Sequence, residues 1–154
     1  MLPGPGAGEG SSQPIRARVR LDFKGVPQKG RLFWGNKPVE KVAEEAREQQ
    51  VTYWRHVPIQ GVHISDVDMG LEVYTIYDDV SDSEVAYAPV VLEVIADSLE
   101  DLVRFVVRED FRKIEIISPT SLTLGKHEME KLMFRIFEEF THYRRNLERK
   151  LNVK

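Results

Sequence analysis

The sequence predicts an α+β fold: a mixed, mainly antiparallel sheet of five or six strands, helices packed on it, and a long helix at the C-terminus. Three observations carry that expectation. Ile15, Ala17, Val19, Leu21 and Phe23 alternate with Arg16, Arg18, Arg20 and Asp22, the period of two that marks a half-buried strand. Tyr87–Ala96 (YAPVVLEVIA) is apolar at both parities apart from Glu93, as a central strand covered on both faces would be. Lys126–Leu151 contains neither Gly nor Pro, and Met129, Leu132, Ile136, Phe140, Tyr143, Leu147 and Leu151 recur at helical spacing.

The chain has 154 residues, enough for one domain with an ordinary core. Hydrophobic residues make up 42% and charged ones 31%, a globular balance. The net charge of −3 gives no general attraction to nucleic acid, so a nucleic-acid partner is not expected. There is no cysteine, which excludes disulfides and thiolate chemistry. Met1–Gln13, rich in Gly, Pro and Ser, has little to bury and is expected to be a disordered tail (1–13) ahead of a single domain (14–154). No apolar run approaches the ~20 residues of a membrane span, and the start lacks a signal-peptide pattern, so a cytoplasmic protein is expected.

After the first strand, Lys24–Gly30 reads as a turn, and Arg31–Trp34 as a second strand closed by Gly35-Asn36. Asn36 and Pro38 suit a helix start, and Val39, Val42, Ala43 and Ala46 give that helix a narrow stripe. The aromatic and β-branched run Val51–Val57 reads as a strand ending at Pro58, and Val62–Val67 as a short irregular one. Leu71–Tyr77 is a strand, followed by an acidic loop over 78–84. Asp97 and Glu100 have the spacing of a capping box for a helix ending near Glu109, and Phe111–Ser118 returns as a strand. Tyr87–Ser118 is thus a β-α-β unit with parallel strands. Leu122 and Leu124 can add a few strand residues before the last helix.

Among constellations with chemical potential, His56, His63, Asp66 and Asp68, with Tyr53 nearby, carry the imidazole and carboxylate groups that a divalent metal would use. In a regular strand His63 would point away from Asp66 and Asp68. Asp78, Asp79, Asp82 and Glu84 lack the order and glycine turn of an EF-hand and read as a solvated hairpin loop. Arg16, Arg18 and Arg20 form a basic row that could meet an anion or an RNA backbone, or simply face solvent. The phosphate-loop, dinucleotide, G-x-S-x-G and H-E-x-x-H motifs are all missing, which lowers the expectation of an enzyme.

The segment Leu92–Phe140, with its strand, capped helix, KIEIISP strand and final amphipathic helix, resembles the ferredoxin-like extension that follows WYL domains in bacterial transcription regulators. It spans about a third of the chain, without a helix-turn-helix or a Trp-Tyr-Leu triplet. The resemblance implies a ferredoxin-like β-α-β-α unit and a regulatory or ligand-sensing module.

The long helix completes the reading. At ~1.5 Å per residue it is longer than a small domain is wide. Its first half, with Met133 and Phe137 widening the stripe, is expected to cover the sheet, and its second half, 141–154, to project. Tyr143, Leu147 and Leu151 then form a partner interface. The expected function is a non-enzymatic interaction or regulatory module that forms a homodimer or meets a protein partner through this helix. The alternative is a small metal-binding protein or metal-dependent enzyme using His56, His63, Asp66 and Asp68. No cofactor is implied beyond that divalent metal.

Overall fold

The computed structural model describes residues 13–28 and 37–152. The expected tail, apart from Gln13, and the expected Arg31–Trp34 strand lie outside them. Eight elements follow in order: β1 (Ile15–Gly25), α1 (Val39–His56), β2 (Val62–Asp68), β3 (Tyr74–Asp78), β4 (Ser83–Ala96), α2 (Leu99–Val106), β5 (Phe111–Ser118) and α3 (Lys126–Asn152). The five strands form one sheet in which every pairing is antiparallel. Its order is β2-β4-β1-β5, with β3 on the same edge of β4 as β2. β4 and β5 are each antiparallel to β1 and therefore run the same way, as expected, but with β1 inserted between them.

The core lies on one face of the sheet. Ile15, Ala17, Val19, Leu21 and Phe23 of β1 share it with Val90, Leu92, Val94 and Ala96 of β4, under Val51 of α1 and Leu102 and Phe105 of α2. A smaller cluster of Ala43, Ala86 and Ala88 continues it toward the start of α1. Small residues there let helix and sheet approach closely. A Cβ on Gly25 would collide with the backbone of Val39 and Ala43. Expected cover on both faces of β4 is therefore corrected: both α1 and α2 pack on the same one.

Several local expectations change for physical reasons. Val51–His56 is not a strand but the last turns of α1, because burial overrides β-propensity: Val51 is buried and the Trp54 ring sits 6.3 Å from Phe23 and 5.9 Å from Phe105. The cap of α2 is Ser98, not Asp97; its side chain accepts from the Asp101 backbone N–H at 3.2 Å. α2 ends at Val106, β3 starts at Tyr74 rather than Leu71, and no strand forms at Leu122 or Leu124. The acidic segment closes a β3–β4 hairpin. There Asp78 accepts from Val80 N–H and Ser81 Oγ at 3.1 and 2.8 Å, and those bonds, led by the serine's, hold its carboxyl below the usual range.

Pro89 sits in a central strand, where a missing N–H is normally costly. The neighbouring pairings explain it. The Asp22 N–H donates to Asp110 O, so Asp22 directs its backbone groups toward β5, and Asp22 and Pro89 form a non-hydrogen-bonded pair. Pro89 thus faces the other edge, between the β3 pairing that stops at Tyr87 and the β2 pairing that begins at Val91. Arg47 of α1 reaches into this gap and donates to the Pro89 carbonyl at 3.0 Å.

Candidate interaction surface

The long helix forms as its pattern requires but does not cover the sheet. α3 has no buried residue along its 27 positions, and its main neighbour is α2. Of the half-buried positions, Glu128, Leu132, Arg135, Glu139 and Tyr143 fall on one side of the helical wheel and mark the side turned to the domain, while Thr141 lies apart from them. The apolar stripe lies about a quarter-turn away. Met133 is 71% exposed, Phe137 65%, Phe140 62% and Leu151 81%, with Met129, Ile136 and Leu147 also exposed.

The expected division of α3 is therefore corrected. Its first half carries more uncovered apolar surface than its second. Of the predicted interface residues, Leu151 is open, Leu147 is 37% exposed and Tyr143 is half-buried. The decisive residues, Met133 and Phe137, were visible in the sequence as a widening of the stripe; what they face depends on how the helix is rotated about its axis. Near the C-terminal end, Lys150 Nζ meets Glu109 Oε1 at 2.8 Å, so α3 finishes beside the loop before β5.

β5 adds a second open feature. It pairs with β1 on one side and, among the described residues, with nothing on the other. Ile116 and Ile117 are exposed there.

The other candidate sites have different fates. A bulge at Ser65 shifts the register of β2, so His63, Asp66 and Asp68 lie opposite Ile95, Glu93 and Val91 and share one face, contrary to the expectation for a regular strand. The Ser65 hydroxyl donates to the Glu93 carbonyl at 3.1 Å. His56 does not join them: it ends α1, on the other side of the sheet, with Nδ1 2.8 Å from Thr52 O. Tyr53 is likewise exposed on α1, and Asp68 accepts from the Gly70 N–H. Among the described residues no group of three or more His, Asp or Glu is placed to hold a metal ion.

Arg16, Arg18 and Arg20 do line the helix-free face, yet each has an acidic partner: Glu93 at 3.7 Å, Glu115 at 3.2 Å and Asp22 at 2.9 Å. That pairing leaves little net charge for an anion. Asp22, at 1% exposure, is the buried charge that the sequence reading passed over. It accepts from Arg20 Nε at 2.9 Å and from the Tyr74 hydroxyl at 2.5 Å, with Arg112 Nε 3.8 Å away. Burial first, then the bond to Asp22, pushes the Tyr74 hydroxyl above the ordinary tyrosine range, and the same carboxylate raises Arg20. Tyr74 stacks on Tyr87 with ring centres 5.4 Å apart, and Arg112 lies 5.1 Å over Tyr87. An acid closing a row of arginines was the available signal that the row neutralises itself.

A cleft of ≈ 350 Å³ opens between α1 and α2, lined by Trp54, Ile59 and Phe105 with Arg104 and Arg108. Both arginines are engaged, Arg104 with Asp101 at 2.9 Å and Arg108 with Asp110 while it packs over Trp54. No family model, curated protein or solved structure matches this chain. Among the described residues, no helix is long and apolar enough to cross a membrane.

Proposed function

We propose that this protein is a non-enzymatic interaction module that works as a homodimer through α3, in the cytoplasm, where a cysteine-free chain is at home. The supporting observation is the uncovered stripe. Its seven residues average nearly three-fifths exposure; at roughly 200 Å² for a fully exposed large apolar residue they present on the order of 800 Å². That is about the share each partner contributes to a standard interface, and more than monomers usually leave open.

Charge favours a second copy as the occupant. Glu130 lies near the start of α3 and Arg144 toward its end, each within about a quarter-turn of the stripe and equally spaced in sequence about Phe137. Antiparallel pairing of two copies about Phe137 brings Glu130 of each to Arg144 of the other, in a self-complementary two-fold contact. Light scattering at micromolar concentration tests the reading. The expected mass is that of two chains for the full protein and of one chain for Phe137→Glu with unchanged circular dichroism. Truncation after Thr141 is expected to weaken the dimer. A full-length monomer overturns the proposal.

A further inference from the structure

We infer that the two copies also join through their β5 edges, pairing antiparallel about a two-fold axis at Ile114 and fusing two five-stranded sheets into one of ten strands. This rests on the dimer reading above and assigns it a geometry.

The backbone selects the register. Asp22 directs its N–H toward β5, so by alternation Arg20 and Arg18 do the same, and their partners Lys113 and Glu115 point inward. Ile114 and Ile116 are left with N–H and C=O groups aimed at the open edge. Register shifts bound this regular stretch at both ends, next to the pairs of Leu21 and Arg16. Centred on Ile114, the pairing gives an exchange of N–H···O bonds between the two Ile114 residues. It sets Lys113 of each copy opposite Glu115 of the other. A centre on Lys113 or on Glu115 would oppose like charges, which destabilises cross-strand pairs. A slip of one residue would set Ile114 against Glu115 and put the two helix layers on opposite faces.

The side chains fit. Lys113 is in no ion pair among the described residues, and Glu115 is exposed with one arginine partner, so it can accept a second cation. The topology fits as well. α3 begins after the end of β5 and finishes beside the loop that precedes it, so the same axis lays the two α3 helices antiparallel. Open edges invite pairing with another chain, and here the sequence at the edge complements itself.

The absence of cysteine makes the test clean. Cα atoms of a hydrogen-bonded antiparallel pair lie ~5.5 Å apart, within disulfide reach. Under mild oxidation, Ile114→Cys is expected to form a covalent dimer at least about tenfold faster than Glu40→Cys on the exposed side of α1. Independently, Lys113→Glu is expected to weaken dimerisation about tenfold by sedimentation, and the exchange K113E/E115K to restore it. Equal cross-linking rates, together with a Lys113→Glu variant that dimerises as tightly as the wild type, overturn the edge pairing. If the full chain still dimerises and Phe137→Glu is monomeric, that failure leaves the α3 reading standing. A monomeric full chain removes both.

Discussion

The central strands and the last helix are built from similar residues and lead opposite lives. In β1 and β4 the apolar residues of one parity are sealed under two helices, and Val19, Leu21, Val90, Leu92 and Val94 have no exposed surface. In α3, Phe137 and Met133 are as apolar as anything in that core and lie mostly in solvent. The first set specifies the fold of one chain; the second contributes little to it and is free to specify an association. Mutations should separate the two cleanly.

The largest effect is expected in the strands. Leu92→Ala should lower the unfolding free energy by about 2–5 kcal/mol in denaturant titrations, because a sealed site cannot collapse around the loss. Tyr74→Phe removes a donor from the buried Asp22 and should cost about 1–3 kcal/mol. It also has a pH signature. A tyrosine whose pKa is raised on folding contributes stability that is present below about pH 10 and lost as pH rises through its folded value. The wild-type chain should therefore lose more stability than Tyr74→Phe between pH 9 and pH 11, as judged by thermal melts. Gly25→Ala should cost about 1–3 kcal/mol through collision with the α1 backbone, read from the same titrations. Ser98→Ala should cost about 1 kcal/mol by removing the α2 cap. The smallest effect belongs to the helix. At concentrations where the chain is monomeric, Phe137→Ala should change stability by less than about 0.5 kcal/mol while weakening self-association.

Where one periodicity ran through an element, the sequence was readable. The β1 alternation, the doubly apolar β4 and the α3 repeat all lie where their spacing places them. Errors arose where local preference and tertiary context disagreed. Val51–His56 has the composition of a strand, but Val51 and Trp54 continue the buried side of α1 across the polar Arg47–Gln50. The one-residue bulge at Ser65 reversed the expected face of His63, and such insertions leave no mark in composition. The candidate site was half legible. Spacing showed that α3 has an apolar stripe with a wide first half, but not which way the helix is turned, and the open edge of β5 depends on sheet order.

The gap at Pro89 has a dynamic consequence. β2 and β3 share β4 as partner but are separated along it, with a guanidinium rather than a backbone ladder between them. Their amides can therefore exchange with solvent as two independent units: the β3 hairpin can fray while β2 stays protected, and the reverse. One edge of this sheet behaves as two short latches on a common strand, while the opposite edge is one strand whose regular middle is bounded by register shifts.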